Sequence, residues 1–193
     1  MKNRRAGSLV LAAVAACFLA ACTNNVKSGT ELLEKEKYEE AAAAFEEAAN
    51  EAEKKDGDAS EAYRGLGMVY YAQGDYEGAR TNLQKALDEG ALRTPAIYNM
   101  IGACSMSLED YDGALAAYEQ GIELPDSMAV SEDTKKEQTV DYSEVIQEMK
   151  MNRIICYEKK LDWESAKAAI SQYTMEYPDD IAAQKEAEFL STR

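Results

Sequence analysis

The chain has 193 residues and a mass of 21.3 kDa, with 21 basic and 36 acidic residues, no histidine and a formal net charge of -15. So acidic a surface repels phosphate, which argues against nucleic-acid binding. Without histidine, Ser-His-Asp and Cys-His catalysis and histidine metal sites are excluded. Three prolines and abundant Ala and Glu favour an all-helical protein over a β-rich one.

The N-terminus reads as an address. Lys2, Arg4 and Arg5 form a basic start, and Leu9 to Ala21 is an uncharged apolar run, the two parts of a secretory signal. As a helix this run spans roughly 20 Å, too short for a bilayer core of about 30 Å. Leu19-Ala20-Ala21-Cys22, followed by polar Thr23-Asn24-Asn25, resembles the bacterial lipobox. That resemblance implies a lipoprotein signal peptide over residues 1–21 and a diacylglycerol lipid on the sulfur of Cys22, with no other cofactor. Two acyl chains anchor stably where one is marginal. Val14-Ala15-Ala16-Cys17 also fits the pattern, but cleavage there leaves the apolar stub Phe18-Leu19-Ala20-Ala21. An uncleaved signal anchor is the alternative. Removing residues 1–21 leaves a net charge of -18, which anionic headgroups push away from the bilayer.

From residue 24 onward a pattern repeats. Tyr38/Ala41/Phe45, Tyr76/Ala79/Leu83, Tyr111/Ala114/Tyr118 and Trp163/Ala166/Ile170 share one spacing. Before each lies a second apolar segment of helical period: Gly29 and Leu32; Tyr63, Leu66, Gly67 and Tyr70; Tyr98, Ile101 and Gly102; Ile154 and Tyr157. Breakers such as Gly74-Asp75 and Glu109-Asp110 separate the halves, so each unit is predicted to be helix–turn–helix. The pattern resembles the tetratricopeptide repeat (TPR), with the second unit matching best and Pro178 closing the fourth.

The resemblance implies an all-α fold, a TPR-like right-handed α-solenoid of about four helical hairpins plus a C-terminal capping helix. Residues 22–193 then form one TPR domain, with repeats at about 24–55, 60–93, 95–125 and 143–178, an insertion at 125–142 and a capping helix at 180–191. Stacked hairpins bury faces that a lone hairpin leaves wet. Helix ends are predicted from Asp58 with Glu61, Thr94-Pro95, Gly74, Gly90, Asp141 with Glu144, and Asp179 or Asp180. The insertion carries the polar stretch Ser131 to Gln138 and reads as a surface loop, tolerated at little entropic cost, though loops of this length are uncommon without a role.

Cys104 and Cys156 fall at the same position of different first helices. Neighbouring helices stand about 8–10 Å apart and a disulfide needs Cα atoms within about 7 Å, so two free buried thiols are expected. The acidic pairs Glu39-Glu40, Glu46-Glu47 and Asp179-Asp180 lack the spacing of a calcium loop. They read as solvated outer faces, so no metal site and no enzymatic activity are expected.

In repeats of this family, ligands lie along the concave side lined by the first helices. The resemblance implies a groove there holding Arg64, Met68 and Tyr71, then Asn99, Ala103 and Met106, then Met151 and Ile155. The Lys/Asn/Arg clamp that some family members use for a terminal carboxylate is missing. Methionines adapt to irregular apolar partners. The implied role is a membrane-anchored extracytoplasmic lipoprotein on a bacterial cell membrane, acting as a protein–protein interaction scaffold through this groove. The alternative is an accessory subunit of an envelope or pilus assembly or secretion machine. A protein or peptide partner is expected, with membrane contact through the lipid only and with neither nucleic acid nor a small-molecule substrate.

Overall fold

A computed structural model describes residues 24–55, 57–132 and 136–193. The signal segment 1–21 and Cys22 lie outside the described residues. The chain pairs α1 (Asn24–Glu34) with α2 (Tyr38–Glu53), α3 (Ser60–Gln73) with α4 (Tyr76–Asp88) and α5 (Pro95–Ser107) with α6 (Tyr111–Ile122). A two-stranded insertion follows, and then α7 (Ser143–Lys159), α8 (Trp163–Glu176) and α9 (Ile181–Ser191). This is an all-α TPR solenoid interrupted by one hairpin of strands.

All four helix–turn–helix connections use the same turn. The residue two before the leading aromatic is left-handed: Glu36 (φ 58°), Gly74 (80°), Glu109 (59°) and Leu161 (57°). The next amide reaches back to a carbonyl five residues earlier, as in Asp75 N–H to Tyr70 and Asp110 N–H to Ser105, both at 2.9 Å. This is the Schellman closure of a helix C-terminus. That same next residue then starts the second helix. Asp75, Asp110 and Asp162 accept from the amides of Gly78, Gly113 and Ser165 at 3.0, 2.9 and 3.1 Å, satisfying an amide that the helix leaves unpaired. The first unit has Lys37 at this place and no side-chain cap.

Within each hairpin, small residues set the approach of the helices. Ala41, Ala79, Ala114 and Ala166 are completely buried. A Cβ on Gly67 would come within 2.6 Å of Leu83 Cγ and 3.2 Å of the Ala79 carbonyl oxygen, so α3 and α4 cross too closely for any side chain there. Phe45, Leu83, Tyr118 and Ile170, one turn after the alanines, are buried, and the first three press on Gly29, Gly67 and Gly102 of the paired first helix. The core runs from Val26 in α1 to Met149 and Cys156 in α7, and a second cluster of Ile154, Ile170, Tyr173 and Leu190 closes the C-terminal end beneath α9. Asp180 caps α9, accepting from Ala182 and Ala183 at 3.0 and 3.1 Å, while Thr94 caps α5 with Pro95 behind it.

Two expectations need correction. The insertion is not an irregular loop. It forms an antiparallel hairpin of β1 (Ser127–Glu132) and β2 (Lys136–Asp141), in which Met128 opposes Val140. Met128 and Val140 are half-buried and pack against the core of the array. The Tyr142 amide bonds to the Asp126 carbonyl at 2.6 Å and the Tyr142 side chain is fully buried, fixing the hairpin's base to the array. The second correction concerns Asp58 and Asp141. Each accepts from the amide two residues on, Ser60 and Ser143, at 2.8 and 2.9 Å, and the helices begin at those serines. Glu61 turns to Arg64 and does not reach back to close a capping box.

Candidate partner-binding face

The four first helices, α1, α3, α5 and α7, repeat three positions along one stripe. Arg64, Asn99 and Met151 each stand twelve residues before the leading aromatic of their second helix; Met68, Ala103 and Ile155 stand eight before, and Tyr71 and Met106 five before. Burial divides the eight. Tyr71, Ala103, Met106, Met151 and Ile155 are half-buried and present part of their surface. Arg64 is 6% exposed, Met68 2% and Asn99 0%. As open contact points these three are corrected: neighbouring helices cover α3 and α5 along most of their length. Arg64 is ion-paired with Glu61 one turn earlier. Met68 joins the continuous core.

Asn99 is different in kind. Its carboxamide is fully buried, out of reach of any surface ligand. It faces the carboxyl group of Glu148 on α7. Burial pushes Glu148 above the usual carboxylate range, while the carboxamides of Asn99 and Asn152 pull it back. Glu148 also acts on Tyr71 and Tyr118, whose hydroxyls are pushed up chiefly by burial, Tyr71 to about 12. A half-buried carboxyl group backed by the buried Asn99 carboxamide and a tyrosine hydroxyl therefore lie on the first-helix face with Met106 and Met151. This set can accept and donate hydrogen bonds to a main chain and attract a cation. Sequence reasoning missed Glu148, because a glutamate on a helix reads as solvated. One signal was available: Glu148 stands fifteen residues before Trp163, as Glu61 does before Tyr76.

The ring of Tyr71 meets Tyr76 edge-on with centroids 5.8 Å apart, which ties α3 to α4 beside the stripe. Cys156 donates its thiol hydrogen to the Met106 sulfur at 3.0 Å, joining α7 to α5. Cys104 and Cys156 are both free and buried, and burial pushes each thiol up to about 12. Such thiols are poor nucleophiles. Among the described residues, no group of three or more Cys, Asp or Glu side chains is arranged to hold a metal ion. No described helix is long and apolar enough to cross a membrane.

The family model described as tetratricopeptide repeat matches residues 26–92 and 66–129, more than half of the chain. The chain belongs to the tetratricopeptide repeat family. Solved structures share the fold. YrrB, described as a TPR protein with an unusual peptide-binding site, superposes with a TM-score of 0.67 at 20% identity, over 87% of this chain and 75% of that one. MamA gives 0.63 at 16% identity, over 84% and 81%. MamA from Desulfovibrio magneticus RS-1, spanning its residue 41 to the end, gives 0.65 at 17%, over 90% and 87%. No curated protein sequence matches the chain.

Proposed function

We propose that this protein is an extracytoplasmic TPR scaffold, tethered to a bacterial cell membrane by lipid on Cys22, which holds a peptide segment of a partner protein along its first-helix face. The observation that carries the reading is the set of half-buried side chains, Tyr71, Met106 and Met151, that the first helices bring to one face beside Glu148. An apolar peptide segment covers these methionines, which adapt to irregular partners. The peptide-binding site in the description of YrrB supports the same class of ligand for this fold. Support for the tether is the basic start, the apolar run and Leu19-Ala20-Ala21-Cys22.

Selection of displayed random peptides on the immobilised protein tests the binding role. Tyr71→Ala with Met106→Ala should weaken an enriched peptide by about 2 kcal/mol, as loss of interface anchors does, while Glu46→Ala with Glu47→Ala on the outer face changes little. Equal binding by both double variants would remove the first-helix face as the site. Growth with a fatty-acid probe tests the tether: the parent takes up label and Cys22→Ala does not, and a labelled Cys22→Ala protein would disprove it.

A further inference from the structure

Away from the first-helix stripe, a cavity of about 540 Å³ opens between α4 and α6. Its walls follow from helical spacing. Arg80, Gln84 and Leu87 share one face of α4; Gly113, Ala117 and Gln120 share one face of α6; Tyr98, Ile101 and Ser105 of α5 form the floor. These α5 positions lie on a different stripe from Asn99, Ala103 and Met106. The small residues Gly113, Ala116 and Ala117 leave the space open on the α6 side.

The cavity gathers cations in a chain of net charge -15. Arg80, Lys85 and Arg93 line it, with Asp88 as the acid among them. Arg80 is committed, bonded to Asp110 at 2.6 Å and reaching Ser105 at 3.5 Å. The other two make no ion pair with any described residue. Lys85 lies over the Tyr63 ring, 5.0 Å from its centroid. Arg93 donates to the Tyr98 hydroxyl at 3.1 Å, which steadies its guanidinium at the cavity wall with further N–H groups to spare. Leu87, Ile101 and Ala117 add apolar surface beside these donors.

We infer that this cavity binds a carboxylate carried on an apolar body, with Arg93 and Lys85 as its counter-ions. A planar guanidinium fork matches a carboxylate bidentately. One free arginine and one free lysine beside Asp88 balance a single negative charge. A doubly charged phosphate is left under-compensated against the protein's overall negative field. The ligand is either a free organic acid or the carboxylate of a partner polypeptide with an apolar neighbour. This site is separate from the first-helix face, so either can fail alone.

The test is amide chemical-shift titration of the full chain with phenylpropionate, with its neutral amide, with inorganic phosphate, and with the peptide Ala-Leu-Phe bearing a free or amidated C-terminus. Saturable shifts confined to Arg93, Tyr98, Gly113 and their neighbours are expected from the carboxylates and not from the two amides. Arg93→Gln and Lys85→Gln should each weaken binding by roughly tenfold, the loss of one charge-assisted hydrogen bond. Ala116→Trp should abolish it by filling the space, leaving the charges untouched and the circular dichroism unchanged. A free-acid peptide that binds at least about tenfold tighter than phenylpropionate identifies a polypeptide as the source; equal or weaker binding identifies a free organic acid. Equal response to the neutral amides, tighter binding of phosphate, or no saturable shift from any carboxylate would overturn the proposal.

Discussion

The ring of Tyr118 occupies the place that a side chain on Gly102 would need: a Cβ there would lie 2.7 Å from Tyr118 Cδ1. Both residues are buried in the third hairpin. Glycine to alanine in an exposed helix gains about 1 kcal/mol. Here overpacking costs about 1–3 kcal/mol, so Gly102→Ala is expected to lose stability. Ala114→Leu, which forces a larger side chain into the crossing of α5 and α6, should lose about 1–3 kcal/mol. Urea midpoints report both, and unchanged midpoints would contradict close helix crossing.

The repeated left-handed turns make the opposite prediction. A residue with a Cβ costs roughly 1–2 kcal/mol in that conformation and glycine does not. Leu161 has φ 57° and is 67% exposed, so little packing is lost when it is replaced. Leu161→Gly should raise stability by about 1 kcal/mol, and Gly74→Ala should lower it by a similar amount. Equilibrium urea unfolding of the two variants checks the pair, and the same sign for both would refute the turn assignment.

Burial raises the Glu148 carboxyl above its ordinary value of 4.5. The fold therefore holds that proton more tightly than the unfolded chain does. The cost of ionising Glu148 is absent below the unfolded pKa and complete above the folded one. Glu148→Gln should raise the urea midpoint at about pH 8, and the gain should vanish by about pH 4. An equal gain at both pH values would show that the effect is not ionisation.

Cys104 and Cys156 are raised to about 12, so at about pH 8 both stay protonated and shielded in the native protein. An aromatic disulfide reagent should modify them slowly in buffer and within seconds in strong denaturant. Fast native modification of either would contradict its burial.

The sequence carried the repeat architecture because it depends on residues that sequence displays directly. The spacing Tyr76/Ala79/Leu83 recurs, with an acidic cap beside it in the last three units, and Thr94-Pro95 and Asp180 start helices as their chemistry requires. Less visible were features that depend on curvature or on unusual residues. Glu36, Glu109 and Leu161 adopt the conformation for which glycine is the usual sign, so only their register with Gly74 betrays them. The strands at Ser127–Glu132 and Lys136–Asp141 are six residues each and do not alternate apolar with polar residues in the way that makes strands legible. Register places Met68 and Asn99 on the stripe but does not tell how deeply neighbouring helices bury α3 and α5. For Glu148 the decisive fact is its neighbour Asn99, which only the three-dimensional structure brings to it.

The central claim is that partners are held on the first-helix face. Site-specific photo-crosslinking tests it most directly, with a benzophenone amino acid placed at Met106 or Met151 on that face, or at Glu46, which is exposed on the second helix of the first hairpin. The reading predicts adducts with a common partner peptide from positions 106 and 151 and none from position 46. Adducts from position 46 alone, or equal yields from all three positions, would contradict it.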